Sequence, residues 1–193
     1  TMADTVGDFI LQRLSDWGVQ RIFGYPGDGI NGLMGAMGRA SERFDYVRVR
    51  HEEMSAFMAG AHAKFTGEVG VCMATSGPGA TNLVTGIATA QMDSIPMVII
   101  TGQVSRASIG SDAFQETDTT GITLPITKHN YLVMDPADIP RTIKEAFHIA
   151  GTGRPGPVLI DIPKDVQFAS GTYVAPREAV LGHYNPPVKG DLD

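Results

Sequence analysis

Short apolar runs alternate with longer amphipathic segments along most of the chain. Two of the runs, at 69–74 and 97–100, are apolar throughout, as in parallel strands that are buried on both faces. The segments between the runs repeat apolar residues at helical spacing. Strands are predicted at 21–23, 46–50, 69–74, 97–100, 128–133 and 158–162. The alternation predicts an α/β fold, with an open parallel sheet of about six strands and helices on both faces.

The predicted helices have recognisable ends. Asp4 is placed to cap a helix over 5–17, and Gly18 terminates it. Further helices are predicted after Gly29, over 54–65, over 80–91 and after Asp138, where Pro140 fits the first turn. Met54 and Met58, one helical turn apart, are expected in the core.

Small residues dominate the stretch 59–63 of the third predicted helix. Such a helix allows another helix to approach closely, and a subunit interface is one reason for it. The run 46–50 before this helix is expected to be a buried strand.

Two segments interrupt the alternation of strands and helices. Residues 103–124 show no sustained period, and a loop this long inside a compact domain is usually functional or disordered. Residues 171–193 contain several prolines and few apolar side chains, which is typical of a linker. We therefore expect one domain over 1–170 and a linker over 171–193 toward a further domain.

Composition limits the classes of function. Hydrophobic residues make up 42% and charged residues 19% of the 193 residues, which indicates a globular chain. The net charge of −6 argues against a nucleic-acid partner or an anionic membrane surface. No apolar stretch reaches the roughly 18 residues of a membrane span. The single cysteine, Cys72, fits a reducing compartment, so a cytoplasmic location is expected.

The stretch His51-Glu52-Glu53 lies where a predicted strand gives way to a helix. Ligands of open parallel sheets bind at this edge. Adjacent glutamates point in different directions, and each could be only a solvated carboxylate at a helix N-terminus. A zinc motif H-E-x-x-H is absent, and His51 and His62 lie roughly 16 Å apart along a helix, so they cannot share a metal. His62 is expected to be a surface or packing residue.

Two glycine-containing turns are candidates for a ligand site. The segment Thr75-Ser76-Gly77-Pro78-Gly79 joins a strand to a helix, and free N–H groups at such a junction favour a polar ligand. It matches neither a dinucleotide fingerprint nor a P-loop, which disfavours a nucleotide-binding domain. The Gly27-Asp28-Gly29 segment lacks the downstream asparagine of a metal and diphosphate motif, so we interpret it as a turn and expect no metal site in the chain.

Taken together, these motifs resemble the N-terminal pyrimidine-binding domain of thiamine diphosphate enzymes, in the acetolactate synthase and pyruvate oxidase branch. The segments that carry the resemblance are 23–27, 50–53, 75–82, 100–103, 112–116, 127–130 and 153–158. They cover nearly the whole chain in the order of the family.

The resemblance implies a role for particular residues. Glu52 is expected to be the catalytic carboxylate, meeting N1′ of the cofactor's aminopyrimidine. The residues expected on the cofactor side are Tyr25, Pro26, Gly27, Glu52, Thr75, Pro78, Gly79 and Asn82. Those expected toward the channel for a second substrate are Gln103, Phe114, Gln115 and Lys128. For Phe114, a hydrophobic anchor of the loop remains an alternative, and for Lys128, a solvated charge.

The resemblance also implies an activity and partners. It implies an acetolactate synthase-like enzyme that decarboxylates pyruvate and joins the product to a second 2-keto acid. Thiamine diphosphate would be shared with a partner domain, Mg²⁺ and FAD would bind domains absent from this chain, and the active site would lie between subunits of a homodimer or higher oligomer. The fragment alone is then expected to be inactive. A pyruvate oxidase-like enzyme and a non-catalytic binding module remain alternatives.

Overall fold

The computed structural model describes residues 5–174, 176–179, 181–187 and 189. Within these residues the chain forms six strands, which are β1 (Arg21–Gly24), β2 (Asp45–Arg48), β3 (Gly70–Ala74), β4 (Met97–Gln103), β5 (His129–Leu132) and β6 (Pro157–Pro163). They pair in the order β2-β1-β3-β4-β6-β5, and every pairing is parallel. The predicted parallel sheet is therefore confirmed.

Helices cover both faces of the sheet. They are α1 (Val6–Asp16), α2 (Asn31–Arg39), α3 (Glu52–Thr66), α4 (Pro78–Asn82), α5 (Val84–Met92), α6 (Thr119–Thr123), α7 (Ile139–Gly151) and α8 (Lys164–Phe168). Short 3₁₀ turns lie at Asp28–Ile30, Arg106–Ser108, Leu124–Ile126 and Pro136–Asp138. No helix among the described residues combines the length and apolar character that crossing a membrane requires.

Strand β3 shows how the sheet separates two hydrophobic cores. Val71 and Met73 face the larger core, which also contains α1, α2 and α7. Cys72 and Ala74 face the smaller core, with α3 and α5. Because successive side chains of a strand point to opposite faces, a strand that serves two cores must be apolar throughout. The structure thus explains the continuous apolar runs.

Some predicted details of strands and helices are wrong. β2 is a half-exposed edge strand rather than a buried one, since it pairs only with β1, and it ends at Arg48. Met54 is 50% exposed, because the inward face of α3 is taken by the alanines at 56, 59 and 63. Met58 does pack against the smaller core.

The helices differ from the predicted ones in several places. Thr5, rather than Asp4, caps α1 by accepting a hydrogen bond from the Asp8 N–H, and Asp4 lies outside the described residues. The predicted helix 80–91 is divided into α4 and α5. Helices α6 and α8, of five residues each, are absent from the sequence prediction.

The small side chains of α3 serve packing within the chain. A Cβ added at Gly86 of α5 would lie 2.5 Å from the Cβ of Ala56, so α5 approaches α3 as closely as the missing side chain allows. In the predicted linker, Tyr173, Leu181 and Tyr184 pack against the larger core. The division at residue 170 stays a prediction.

Candidate active site

The carboxyl ends of β1 and β3 form the crevice of the sheet. The chain leaves β1 toward β2 on one side and then returns through α3 to β3 on the other side. Where connections diverge in this way, an open α/β sheet leaves a ligand crevice. The turn after β1, the start of α3 and the turn after β3 all lie at this edge.

Glu52 is the first residue of α3 and is only 9% exposed. The helix begins here because the His51 side chain accepts a hydrogen bond from the Glu53 N–H, as an N-cap does. Asn82 of α4 donates from Nδ2 to Oε2 of Glu52 at 2.9 Å. Among the described residues, Oε1 of Glu52 accepts no side-chain hydrogen bond, which leaves one carboxylate oxygen available to a ligand.

Thr75 joins the two glycine turns. Its Oγ1 accepts a hydrogen bond from the Gly29 N–H at 2.8 Å. A Cβ added at Gly27 or at Gly79 would lie 2.6 Å from the Thr75 methyl carbon, closer than real side-chain contacts. The glycines therefore let the turns after β1 and β3 both pack closely against one threonine. Gly79 also lies beside Glu52, since its added Cβ would be 3.5 Å from Oε1.

Gly77 brings the long loop to this cluster. Its backbone has φ 59° and ψ −116°, a conformation that favours glycine. A Cβ at this position would lie 2.5 Å from the carbonyl oxygen of Gln115. The loop 103–124 thus packs its backbone directly on the turn that precedes α4.

The structure brings most of the predicted cofactor-side residues together. Tyr25 is half-buried in the turn after β1, with the Arg48 guanidinium 5.8 Å from its ring centroid. Pro26 is half-buried beside it, and Pro78 is exposed at the start of α4. Phe114 is 87% exposed on the loop, so it is no hydrophobic anchor within this chain. Contact of these residues with a cofactor or substrate stays a prediction.

Gln103 and Lys128 are placed differently from the other predicted channel residues. Gln103 is buried at the end of β4, and its amide donates to Thr117 and Asp161. Lys128 precedes β5, at the amino edge of the sheet and away from Glu52. Its ammonium donates to the carbonyls of Ile149 and Thr152, so it is bound rather than solvated. The structure does not bring Lys128 to the candidate site, and its channel role has no structural support within this chain.

The sequence motifs did not indicate three polar residues at the carboxyl edge of the sheet. Gln167 of α8 is fully buried, and its Nε2 donates to the Gly29 carbonyl at 2.7 Å, which fixes the turn after β1 from below. Lys164 forms an ion pair with Asp28 at 2.7 Å. Asp161 is a buried carboxylate in the last strand. A polar residue inside an apolar run, as in Ile160-Asp161-Ile162, is the one sequence signal that could have revealed Asp161.

Burial raises the pKa of Asp161 to about 7, and the nearby Asp118 carboxylate adds to the effect, while hydrogen bonds from Thr101, Gln103 and Thr119 oppose it. Burial likewise raises the pKa of the Cys72 thiol to about 12, so this cysteine is an unreactive core residue.

His62 takes a structural position. His62 pairs with Glu68 at 3.4 Å and packs on Phe23, in agreement with the packing role predicted for it. Within the described ranges, no three His, Cys, Asp or Glu side chains are grouped as metal ligands.

The sequence of the chain matches a known protein family. Residues 4–122 match the model of the thiamine pyrophosphate enzyme N-terminal TPP-binding domain. The chain belongs to this family. The resemblance found in the motifs is thereby confirmed, as is the fold that it implied.

The relatives of this chain are acetolactate synthases that are about three times as long. The chain is 54% identical over 182 residues to the acetolactate synthase large subunit of Parasynechococcus marenigrum, covering 92% of the chain and 30% of that relative. It is 54% identical over 180 residues to an acetolactate synthase of Mycobacterium bovis, covering 93% of the chain and 29% of the relative. It is 47% identical over 185 residues to the acetolactate synthase isozyme 3 large subunit of Escherichia coli, covering 95% and 32%. The chain thus spans less than a third of these relatives.

The described residues fit thiamine pyrophosphate, that is, thiamine diphosphate. The crevice holds one buried carboxylate with an oxygen free of side-chain donors, as a ring nitrogen that carries a proton requires. Gly27 and Gly79 both pack against Thr75 at this edge, where a Cβ on either glycine would collide with it.

Proposed function

We propose that this chain is the N-terminal cofactor-binding domain of an acetolactate synthase. In the proposed reaction, pyruvate is decarboxylated and the remaining two-carbon unit is joined to a second 2-keto acid. The observation that carries the proposal is the agreement of the relatives, which match over 92–95% of the chain at about 50% identity and are named acetolactate synthases.

Glu52 is the proposed catalytic residue. Thiamine diphosphate, when bound, supplies the electron sink that makes decarboxylation of a 2-keto acid possible. Oε1 of Glu52 holds or receives the proton at N1′ of the aminopyrimidine, while Asn82 fixes the other carboxylate oxygen. Burial at the start of α3 keeps water from competing for that proton.

Thr75, Gly27 and Gly79 are proposed to shape the space for the cofactor ring, with Tyr25, Pro26 and Pro78 at its margin. Phe114 and Gln115 are proposed to face the second substrate. Support comes from the loop that carries them, whose backbone rests on Gly77, and from the exposed ring of Phe114, which presents an apolar face at the carboxyl edge.

Mg²⁺ and FAD are proposed to bind elsewhere in the longer protein. Asp28 of the Gly-Asp-Gly turn is already engaged by Lys164 and Asn31, which argues against its use as a metal ligand. The 193 residues alone are accordingly expected to lack turnover.

A second copy of the enzyme is the proposed partner. Met54 and Phe65 of α3 and Met92 of α5 are exposed on the outer side of the smaller core, at 50%, 92% and 78%. The Lys64–Asp93 ion pair holds the ends of the two helices together, so Phe65 and Met92 lie on one surface. A surface with such large exposed apolar side chains favours association, and a dimer would cover it.

The proposed reaction can be tested by product analysis. An acetolactate synthase that carries this chain as its N-terminal segment should form acetolactate from pyruvate only when thiamine diphosphate and Mg²⁺ are present. An oxidised two-carbon product formed with consumption of oxygen would instead indicate the pyruvate oxidase alternative. Absence of any cofactor-dependent pyruvate consumption would contradict both.

A further inference from the structure

The loop 103–124 carries Phe114 and Gln115 but has few contacts of its own at its tip. Phe114 is almost fully exposed, and Gln115 has φ 60°, an unusual value for a residue other than glycine. The carboxylate of Glu116 accepts hydrogen bonds from the N–H groups of Gly110 and Ala113, which closes the tip on itself. Apart from the backbone contact of Gln115 with Gly77, the position of the tip is therefore set by the two ends of the loop.

The outgoing end is fastened at the surface. Arg106 donates from its backbone N–H and from Nε to the Asp165 carboxylate, at 2.9 and 2.7 Å. Both side chains are more than a third exposed, so solvent weakens this ion pair.

The returning end is fastened in the interior. Nε2 of Gln103 donates to the Thr117 carbonyl at 2.8 Å and to Oδ2 of Asp161 at 3.0 Å. Its Oε1 accepts from the Val104 N–H at 2.9 Å, so both ends of the amide are in use. Gln103 is 4% exposed, and rotating its amide would leave buried donors and acceptors unsatisfied, which is costly.

Asp161 in turn fixes Gln103. Asp161 is 1% exposed in β6, which lies between β4 and β5, and its Oδ1 accepts from the Thr101 hydroxyl at 2.7 Å. Asp161 thus links the loop to two neighbouring strands of the sheet, although it lies outside the loop itself.

We propose that Gln103 and Asp161 are positioning residues, which hold the returning end of the loop through Thr117 and thereby place Phe114 and Gln115 beside the cofactor turn. Neither side chain contacts substrate. This assigns Gln103 a different task from the channel-lining role that the sequence resemblance implies. The effect on substrate rests on the proposed function, whereas the effect on the loop does not.

The first test measures hydrogen–deuterium exchange of the amides at 108–117 in the full-length enzyme. Gln103→Met keeps the size of the side chain and removes both donated hydrogen bonds. We expect exchange at 108–117 to become about tenfold faster, the factor that corresponds to losing the one hydrogen bond to the Thr117 carbonyl that holds the loop. Glu145→Gln is the control, because Glu145 is another buried polar residue whose side-chain partners, Tyr131 and Arg141, lie outside the loop. In the Glu145→Gln variant, amide exchange at 108–117 should equal that of the wild type.

A swapped pair separates positioning from core stability. In the double variant Gln103→Glu/Asp161→Asn, the introduced amide can donate to the introduced carboxylate, so the buried pair is restored. The Thr117 carbonyl nevertheless has no donor. We expect thermal stability to recover relative to Asp161→Asn, while loop exchange stays fast. Should Gln103→Met fail to fold, this double variant decides the question.

Kinetics supply the second readout. In the swapped pair the KM for the second 2-keto acid should rise several-fold, while exchange of the cofactor C2 proton stays at the wild-type rate. Unchanged loop exchange in a folded Gln103→Met variant, or a swapped pair that restores loop exchange together with stability, would overturn the proposal. Lack of synthase activity in the wild type would instead refute the proposed function and leave the exchange test intact.

Discussion

At the scale of single residues, the candidate site depends on glycines as much as on polar side chains. Glu52 and Asn82 supply the polar contact, and Gly27 and Gly79 leave room for Thr75 between the turns. The family resemblance implied these residues as a set. In the structure Glu52 begins α3 directly after a strand, whereas Asn82 is the last residue of α4. Lys128 was predicted at the site on the family's motif alone, and its bonds to the end of α7 depend on tertiary packing that the motif does not contain.

The contact between Gly79 and Thr75 can be tested by rescue. Gly79→Ala should destabilise the fold by about 1–3 kcal/mol through overpacking, and it should weaken binding of thiamine diphosphate. Thr75→Ser removes the methyl carbon that the new Cβ would meet, so the double variant should recover much of both losses.

Gly27→Ala is the control for this rescue. Its added Cβ would also be 2.7 Å from the Thr75 hydroxyl oxygen, which serine retains, so Thr75→Ser should not rescue it. Urea unfolding and calorimetry of cofactor binding measure the effects. Equal rescue of both glycine variants would contradict the packing described.

The raised pKa of Asp161 predicts a pH dependence of stability. The folded chain holds the proton up to about pH 7, whereas the unfolded chain releases it near pH 4. The contribution of this residue to the free energy of unfolding is therefore greatest below about pH 4 and is lost as the pH rises to about 7. The stabilisation lost is on the order of a few kcal/mol.

Asp161→Asn removes this titration. The difference in unfolding free energy between wild type and variant, measured by urea denaturation across pH 4–8, should change in favour of the variant as the pH rises. A difference that is constant with pH would show that Asp161 does not titrate in this range.

At the scale of elements, the pattern located the four inner strands and both edge strands. Buried parallel strands are continuous apolar runs, whereas the edge strands β2 and β5 are recognised by their position between amphipathic helices. The pattern could not give the order of the strands, which depends on contacts between distant segments. That order decides that β2 is an edge strand. Helix α8 was missed since five residues are too few to show a helical period. Met54 was misplaced because period alone does not say which face of a helix turns inward.

The close packing of α3 against α5 gives a prediction at this scale. Gly86→Ala should cost about 1–3 kcal/mol, because the new Cβ would meet Ala56. Gly38→Ala is the matched control, since Gly38 lies in α2 with open space around it, and alanine favours a helix by roughly 0.5–1 kcal/mol. Denaturant midpoints should thus shift in opposite directions, and a stabilising Gly86→Ala would contradict the tight contact.

At the scale of the whole molecule, we propose that the chain supplies one side of a site. Glu52 begins α3 at the carboxyl edge of the sheet, and the large apolar side chains on the surface of α3 and α5 are uncovered within the described residues. Both features agree with a longer enzyme whose subunits complete each other's active sites, as proposed.

The proposed dimer predicts that charge on this surface disrupts association. Phe65→Asp/Met92→Asp in the full-length enzyme should lower the dimer fraction in sedimentation velocity and reduce activity in parallel. Phe168→Asp is the control, because Phe168 is 51% exposed on α8, on the other face of the sheet. An unchanged sedimentation coefficient in the double variant would show that the dimer uses another surface.

The central claim, that Glu52 handles the proton at N1′ of thiamine diphosphate, is tested most directly by exchange of the cofactor C2 proton for deuterium in the full-length enzyme. Glu52→Gln should slow this exchange and lower kcat by roughly 10² to 10⁴, as expected for loss of a group that transfers a proton. Glu53→Gln, a change of the neighbouring and more exposed carboxylate, should leave both near the wild-type values. A Glu52→Gln enzyme that binds the cofactor and exchanges the C2 proton at the wild-type rate would contradict the claim.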